Sequence, residues 1–570
     1  MLDDGSRIVS GATLNFDVCI VGAGPAGLML AAELDGGPFR VCLLEAGGMA
    51  PDPAHQALAD GLVELNDDCY ENPGFLRDVA VGGTAHRWCI EVGGDRYFRM
   101  GKLSPGDFER RRWLPHSGWP ISAADLEPWY DRALAVCGVD PAAFDPLRWT
   151  DQAHQPIPSL DGRVDSSVFV FARRAVFTEE LPARLARSAT TTLIHDAACV
   201  EIESEGHGAR VTRLRVRSLT GRQFHVAARA VALTTGAFDV PRLLLASRAD
   251  VPAGLGNGHD LVGRYFTDHQ IVKAGSIQTG LGDLPARLAY YDIRRSGEAS
   301  GTGALVVAGK TLDQEQILSS GMMLVPTMNP SPGWAAQHLW GRETTNRSPA
   351  LASAMVVRQA LKRGQRPPQL GRHLIRMAAG ADDLAFALTR IYGKFPAYWS
   401  IDRGGWSEPI QPGQPEVKAI EAFQLCEQSP DPGNRVTLSD EVDAVGMPKP
   451  KVRFRWNDLD RYSARRSQEI VSRTLEEAGL GRLRRWRRRG DPLVRQMTAH
   501  HPAGTARMSA DPATGVVDAD GKVHGTANLF VASAAVFPTA GFAPPTLTVL
   551  ALAARVAEAI VELLGSGAGL

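Results

Sequence analysis

The chain has 570 residues, and because a single hydrophobic core stops growing at about 250 to 300 residues, we expect two large domains or one interleaved pair. Its 62 basic and 63 acidic residues leave a formal net charge of −1, without the broad positive field that binds nucleic-acid backbones. Nucleic acid is therefore not an expected partner, whereas 44% apolar and 22% charged residues are typical of a folded globular protein.

A β-strand is predicted at residues 16–21, followed by the segment GAGPAG and an apolar helical pattern. A second strand is predicted from Val41, which completes a βαβ unit of about 30 residues. Within residues 105–140 we expect a helix capped by Ser122 or Asp125.

Residues 195–245 alternate as strands do and end in a short helix, PRLLLAS. Most of residues 273–420 shows no clear periodicity and is assigned to a substrate domain. The final apolar stretch, residues 546–564, carries Arg555 and Glu558 at helical spacing, which predicts an amphipathic surface helix rather than a membrane span.

The seven cysteines include no CxxC pair, so we expect reduced, mostly buried thiols and no metal site. The first residues contain neither the basic nor the apolar segment of a secretion signal. No apolar run is long and uninterrupted enough to cross a membrane. These patterns favour a cytoplasmic protein without a membrane span.

The segment GAGPAG has the spacing GxGxxG directly after a strand and at the start of a helix. Its first glycine allows a tight turn, its second lets the backbone approach a pyrophosphate, and its third permits close helix packing. Glu45, at the end of the second strand, is placed to accept hydrogen bonds from ribose hydroxyls. The unit predicts a dinucleotide site and leaves FAD and NAD open, while the acidic residue disfavours NADP.

Two adjacent histidines, His500 and His501, lie near the C-terminus in the sequence TAHHPAGTARMS. An imidazole beside a dinucleotide is suited to accept the proton of an alcohol. Most histidines in proteins are structural, so the pair alone does not establish catalysis. If the segment is extended, neighbouring side chains point to opposite faces and only one of the two faces the cofactor.

At this point the chain resembles the glucose-methanol-choline (GMC) family of FAD-dependent alcohol oxidases and dehydrogenases, and most closely its sugar-oxidising branch. The resemblance spans nearly the whole chain. It is carried in order by VGAGPAGL with LLEAGG, VGGTAHRW, SGWPISAADLEPWY, ALTTGAFDVPRLLLAS, LVGRYFTDH, EQSPDPGNRVTLSDEVDAVGMP, HPAGTARM and NLFVASAAVFPTAGFAPPTLTVLALAARVAE.

The resemblance implies an α/β fold, α+β overall, with a Rossmann-like FAD-binding domain interleaved with a sheet-based substrate-binding domain. It places the FAD-binding domain at residues 1–98, 190–272 and 494–570. The substrate-binding domain then occupies residues 99–189 and 273–493.

The resemblance also implies roles for single residues. His501 matches the active-site histidine, the base or hydrogen-bond partner of the substrate hydroxyl, and His500 is a second catalytic candidate. The FAD-binding positions implied are Gly22, Ala23, Gly24, Pro25, Ala26, Gly27, Glu45, Gly82, Gly83, Thr84, Val200, Ser533 and Thr546.

Three positions depart from the family pattern. Pro544 stands where the family usually has Asn or a second His, so half of the usual catalytic pair is missing. Arg87 precedes Trp88 where members with covalent FAD carry a histidine, which predicts non-covalently bound FAD. Ser533 replaces a usual Asp and puts one flavin contact in question.

The leading hypothesis is FAD-dependent oxidation of a hydroxyl group on a sugar or sugar-like compound to an aldehyde or ketone. A neutral sugar, an aminoglycoside and another secondary-metabolite glycoside all stay open, as does the electron acceptor. For a polycationic substrate, Asp67, Asp68 and Glu71 are a candidate acidic lid, although a solvated loop is the simpler interpretation. The alternatives are a flavin-containing lyase without net redox change, such as a hydroxynitrile lyase, and a nucleotide-binding protein without catalysis.

Overall fold

The structure is a computed structural model. It describes residues 1–64, 70–88, 90–92, 95–327, 349–362, 366–367, 369–381, 406–407, 419–485 and 495–566, with residues 384, 417 and 493. Over these ranges the chain combines helices with sheets of eight, ten and three strands. The predicted mixed α/β fold is confirmed.

The strands are numbered in chain order. They are β1 (Leu2–Asp4), β2 (Thr13–Val21), β3 (Val41–Leu44), β4 (Leu62–Val63), β5 (Ile90–Val92), β6 (Asp95–Met100), β7 (Val164–Arg173), β8 (Thr191–His195), β9 (Ala198–Glu205), β10 (Arg210–Arg217), β11 (Gln223–Leu233), β12 (Gln270–Gln278), β13 (Ile293–Ser296), β14 (Ala299–Val307), β15 (Ser320–Thr327), β16 (Ala419–Cys426), β17 (Arg435–Val442), β18 (Pro448–Arg453), β19 (Arg482–Arg485), β20 (Arg495–Thr498) and β21 (Leu529–Val531).

The α-helices are numbered in the same way. They are α1 (Pro25–Leu34), α2 (Pro53–Gln56), α3 (Pro105–Phe108), α4 (Ala123–Cys137), α5 (Leu181–Ala186), α6 (Gly236–Ala246), α7 (Leu284–Arg287), α8 (Gly309–Glu315), α9 (Pro349–Lys362), α10 (Leu370–Ala379), α11 (Asp458–Glu477) and α12 (Thr546–Ser566).

The eight-stranded sheet has the order β1-β8-β3-β2-β11-β10-β9, with β21 beside β11. Its centre is parallel, since β8, β3, β2, β11 and β21 all run in one direction. Such strands are buried on both faces, and the four residues of β3 are indeed all buried. The carboxyl ends of β2, β3 and β11 therefore meet at one edge, where ligands of open α/β sheets bind.

The ten-stranded sheet has the order β19-β12-β16-β15-β14-β7-β6-β5, with β13 beside β14 and β20 beside β12. Every strand pair in it is antiparallel. Each of the two large sheets thus combines strands from distant parts of the chain. The exact domain boundaries given above remain a prediction.

Helix α4 begins where its capping sequence indicates. Ser122 accepts a hydrogen bond from the backbone N–H of Asp125, and the Asp125 carboxylate accepts one from the N–H of Ser122. This reciprocal pair satisfies two amides that have no partner inside the helix. The two predicted cap candidates therefore act together.

Helix α12 differs from the prediction of a surface helix. Most of its residues up to Ile560 are buried, including Leu547, Leu550 and Ala554, and it packs against α1 and α4. Arg555 and Glu558 contact neighbouring groups instead of marking a wide solvent face: Arg555 donates to Asp520, and Glu558 accepts from Trp129. The prediction was wrong because two charges cannot show how many neighbours cover the rest of a helix.

None of the described helices has the length and apolar character needed to cross a membrane. The five described cysteines are free and buried, and Cys69 and Cys89 lie outside the described residues.

Candidate active site

A cavity of about 720 Å³ lies at the carboxyl-end edge of the eight-stranded sheet. Its walls include the glycine-rich segment after β2, residues from β6 in the ten-stranded sheet, and the two adjacent histidines. Its volume is in the range of cofactor and ligand sites. The residues that sequence patterns assigned to a dinucleotide and to catalysis thus share one enclosed space.

The glycine segment after β2 has the close packing that its spacing predicts. Gly22 has a φ of +103°, a conformation that L side chains rarely adopt. A Cβ on Gly27 would stand 1.9 Å from the carbonyl oxygen of Gly22. Gly24, Pro25 and Ala26 line the cavity at the start of α1, where unpaired N–H groups favour a phosphate.

Glu45 is buried and binds the backbone on both sides. One carboxylate oxygen accepts from the N–H of Ala23 at 2.8 Å, and the other accepts from the N–H of Gly47 at 2.9 Å. Burial raises the pKa of Glu45 to about 7 against the opposing effect of these bonds. Each oxygen keeps a lone pair for another donor, so Glu45 fixes the glycine segment and can still bind a ribose hydroxyl.

The second glycine segment crosses the first. Gly82 and Gly83 have φ values of +95° and +51°, and the N–H of Gly82 donates to the carbonyl of Ala23 at 2.8 Å. A Cβ on Gly83 would come within 2.9 Å of the Cα of Gly24. Gly83 and Thr84 line the cavity, so the two segments form a cradle of backbone amides that fits a pyrophosphate.

The other predicted cofactor positions are placed differently. Ser533 and Thr546 line the cavity, and Thr546 begins α12. Val200 lies in β9 and does not line the cavity. In this part of the chain, the lining residues are the three before it, Ala197 to Cys199. The Ser533 hydroxyl accepts from the N–H of Ala535 at 3.1 Å, so a local bond uses the side chain that replaces the usual Asp.

His501 lies in a half-buried, hydrogen-bonded position. Its backbone N–H donates to the Asp268 carboxylate at 2.8 Å, and the same carboxylate accepts from the Tyr70 hydroxyl at 2.6 Å. Its Nδ1 lies 3.0 Å from Nδ1 of His269, with the two rings nearly perpendicular. Burial lowers the pKa of His501 well below its ordinary value, so the imidazole is uncharged near neutral pH.

His500 does not follow the extended geometry expected from its sequence. β20 ends at Thr498, and His500 has a φ of +61°, which is the left-handed region. The chain bends here, so His500 and His501 both line the cavity. The expectation that only one of the two faces the cofactor assumed an extended segment, and this bend means that the condition is not met.

Three residues of the site, His269, Asp268 and Tyr70, were not predicted from the sequence. His269 and Asp268 close the segment LVGRYFTDH, which was recognised as a family segment without a role for its last two residues. His269 is buried, which lowers its pKa to about 4, and the Asp268 pKa is raised to about 7, also by burial. Perturbed groups in contact with a cavity residue were the available signal, but only the fold reveals that contact.

Pro544 lines the same cavity and offers no side-chain hydrogen bond.

Close to the second glycine segment, His86 Nε2 lies 2.8 Å from the carbonyl oxygen of Val81. Arg87 forms an ion pair with Asp78 at 2.6 Å. No group of three or more potential metal ligands occurs within the described ranges.

The cavity fits FAD on these observations: a glycine cradle, a helix N-terminus, a carboxylate with free lone pairs and two histidines line the same space. Two family models match the chain. The model described as FAD dependent oxidoreductase matches residues 17–270, and the model described as GMC oxidoreductase matches residues 430–553.

Several known proteins are similar to the chain, some over nearly all of it and some over about a quarter. Paromamine 6'-oxidase from Streptomyces fradiae is 24% identical, and the alignment covers 96% of this chain and 91% of that protein. The fructose dehydrogenase large subunit from Gluconobacter japonicus is 23% identical, with 98% and 100% covered. C-glycoside 3-oxidase from Microbacterium trichothecenolyticum is 34% identical over 27% of this chain and 29% of that protein.

Among solved structures, a variant of formate oxidase from Aspergillus oryzae aligns with a TM-score of 0.50 at 17% identity, over 97% of this chain and 99% of that chain. This likeness concerns the fold. The family matches, the family segments in order and the cavity that combines a dinucleotide cradle with a half-buried histidine lead to one conclusion. The chain belongs to the GMC oxidoreductases and is an FAD-dependent enzyme of that family.

Proposed function

We propose that this enzyme oxidises a hydroxyl group of a sugar or sugar-like compound to an aldehyde or ketone, with His501 as the base that receives the hydroxyl proton. The observation that carries the proposal is the half-buried, uncharged imidazole of His501, 3.0 Å from His269, in the same cavity as the glycine cradle. Relatives named for paromamine, fructose and C-glycosides support the substrate class.

The protein groups have a defined task in this reaction. When bound, FAD supplies the acceptor for the hydride that leaves the carbinol carbon. Because Nδ1 of His501 faces His269, Nε2 is the ring nitrogen left for the substrate hydroxyl. An uncharged ring can accept the hydroxyl proton there, and the backbone bond from His501 to Asp268 holds the ring in place during the transfer.

We propose that His500 binds substrate and does not transfer the proton. Its Nε2 lies 3.4 Å from a carboxylate oxygen of Glu71, and about one third of its side chain is exposed. A ring nitrogen close to a carboxylate is favoured as a donor. With the proton on Nε2, the other ring nitrogen, Nδ1, is suited to accept a hydrogen bond from another hydroxyl of the substrate.

The charge of the cavity favours a neutral sugar over a polycation. Arg99 lines the cavity, and its charge contributes to the lowered pKa of His501. Within the described residues Arg99 forms no ion pair with a carboxylate, and Glu71 lies beside His500. Asp67 and Asp68 of the predicted acidic lid lie outside the described residues, so an aminoglycoside remains an alternative substrate. The cytoplasmic location also remains a prediction.

An anaerobic titration tests the proposed reaction. The purified protein with FAD is mixed with neutral sugars, aminoglycosides, simple aliphatic alcohols and aromatic alcohols, and loss of the oxidised flavin band is followed. We expect bleaching by sugars or their glycosides. A flavin that dithionite reduces but no alcohol bleaches would contradict the proposal and favour the lyase, which the comparisons with named oxidases and dehydrogenases do not favour.

His501→Ala tests the base. We expect a loss of about 10²- to 10⁴-fold in the rate of flavin reduction, the usual contribution of a general base, with FAD still bound because the glycine cradle is intact. His500→Asn, which tolerates the left-handed backbone, is expected to raise KM more than it lowers kcat. His154→Ala is the control, since His154 pairs with Asp151 at the surface; an undiminished rate in His501→Ala would refute the assignment.

A further inference from the structure

Backbone hydrogen bonds hold His269 and His501 opposite each other. β12 and β20 are antiparallel neighbours, and the pairing continues beyond them: the N–H of Ala499 donates to the carbonyl of His269 at 2.7 Å. Thr267 and Ala503 exchange two backbone bonds of 3.1 and 2.9 Å. The 3.0 Å contact between the two Nδ1 atoms is therefore fixed by the register of two chain segments.

Two nitrogens at this distance share one proton. Burial is the main cause that lowers the pKa of both histidines. Both rings are therefore uncharged near neutral pH, and each carries one proton. If His501 donates from Nδ1, its Nε2 is unprotonated and can accept a proton from substrate. If His269 donates instead, Nε2 of His501 already carries a proton and cannot act as a base.

The surroundings of His269 favour the first arrangement. Burial is the main cause that lowers the pKa of His269, and the Glu427 charge and the backbone carbonyls of Gly541 and Ala540 act in the opposite direction. Carbonyl oxygens only accept hydrogen bonds, and Nδ1 of His269 already faces His501. A proton on Nε2 of His269 is therefore the arrangement that these carbonyls stabilise, although no hydrogen bond of regular geometry reaches Nε2 in the described part of the chain.

We propose that His269 is a positioning residue for the base: its unprotonated Nδ1 accepts the Nδ1–H of His501, which holds that ring in the tautomer with a free Nε2. This inference rests on the proposed role of His501. It also supplies an orienting partner in a cavity where Pro544 has no hydrogen-bonding side chain. An orienting acceptor behind a catalytic histidine sets both its tautomer and its direction.

Three substitutions at His269 separate this role from packing. His269→Asn keeps an acceptor at about the distance of Nδ1 from the backbone, whereas His269→Phe and His269→Leu remove it with different volumes. In anaerobic stopped-flow experiments with the sugar that bleaches the flavin, we expect both acceptor-free variants to reduce flavin about 10- to 100-fold more slowly, part of the contribution of a general base. Substrate Kd should change less than twofold, and His269→Asn should recover most of the rate.

The control is Gln270→Leu. Gln270 is the next residue, is equally buried, and its amide nitrogen has no hydrogen-bond partner within the described residues. We expect this variant to keep the rate of the unchanged enzyme. A wild-type rate in a folded His269→Phe or His269→Leu protein, or an Asn variant as slow as both, would overturn the inference.

A second measurement does not require the His269 variants to fold. In protein labelled with ¹⁵N-histidine, the His501 signals are assigned by their loss in His501→Ala. We expect Nε2 of His501 to show the chemical shift of an unprotonated ring nitrogen, and a protonated Nε2 would contradict the proposed tautomer. Full turnover of His501→Ala would refute the proposed function itself, whereas impaired His501→Ala with unimpaired His269→Phe would refute only the role of His269.

Discussion

Glu45 is a single buried carboxyl group that holds the glycine segment of the cofactor site in place. Both of its oxygens accept backbone N–H groups, and no water-exposed surface compensates for their loss because the side chain is buried. A buried donor without its acceptor costs about 1 to 3 kcal/mol. The residue therefore acts on the glycine segment and on a ribose at the same time.

Glu45→Gln is predicted to weaken FAD binding about tenfold or more. A glutamine amide can accept with only one oxygen, and its NH₂ group would face the N–H of either Ala23 or Gly47. The measurement is a titration of the FAD-free protein by flavin fluorescence quenching. Glu205→Gln, at an exposed position at the end of β9, is the control, and equal affinities of both variants would show that Glu45 is not a cofactor residue.

The same carboxyl predicts a pH dependence. Its pKa is about 7 in the folded protein and 4.5 without the fold, so folding takes up a proton between these two pH values. The contribution of Glu45 to stability is then fully present below about pH 4.5 and is lost as the pH rises through 7. In FAD-free protein, Tm should fall less steeply over this range in Glu45→Gln than in the unchanged chain, and parallel curves would contradict the assigned pKa.

At the scale of elements, the cofactor cradle depends on two chain segments that approach without side chains between them. Gly27 packs on Gly22, and Gly83 packs on Gly24. These contacts place the start of α1 beside the second glycine segment. The glycines of this site thus serve close approach as well as unusual φ angles.

Gly27→Ala is predicted to abolish or strongly weaken FAD binding. Its Cβ would meet the Gly22 carbonyl oxygen at 1.9 Å and the Thr234 hydroxyl at 2.8 Å, so β2 and α1 must separate, and overpacking of this kind costs about 1 to 3 kcal/mol or more. Gly106→Ala is the matched control, because no atom lies within 4 Å of its added Cβ. Bound flavin per protein and Tm are measured, and a Gly27→Ala protein with full flavin content would refute the packing argument.

At the scale of the whole molecule, the cavity joins the two large sheets. β2 and β3 end at one side of it, and β6 of the other sheet contributes Tyr97, Phe98 and Arg99. A ligand that contacts both sides binds the folded chain and not the unfolded one. FAD is therefore expected to stabilise the entire fold by mass action.

Removal of FAD tests both the linkage and the predicted non-covalent attachment. Acid precipitation should leave yellow flavin in the supernatant, and protein depleted of FAD under mild conditions should melt at a lower temperature. FAD added at about 100 times its Kd should restore about 2.7 kcal/mol of stability. Flavin that stays with the acid pellet would reveal a covalent bond, for which His86 would be the first residue to examine.

Local patterns in the sequence determined the βαβ unit, the cap of α4, the glycine segment after β2 and the placement of Glu45 at the end of β3, whereas the second glycine segment came from the family resemblance. Each of these depends on residues close together in the chain, where spacing translates directly into geometry. The family resemblance added the cofactor and His501, and the family matches confirm FAD. The roles of the individual residues remain predictions to be tested.

Tertiary structure decided what lies between distant segments. His269 and His501 are 232 residues apart in the chain, and only the pairing of β12 with β20 brings their rings together. The bend at His500 and the burial of α12 likewise depend on neighbours that no local pattern records. Burial and partner geometry set the protonation of the two histidines, so the arrangement of the proposed base followed from the fold and not from the sequence alone.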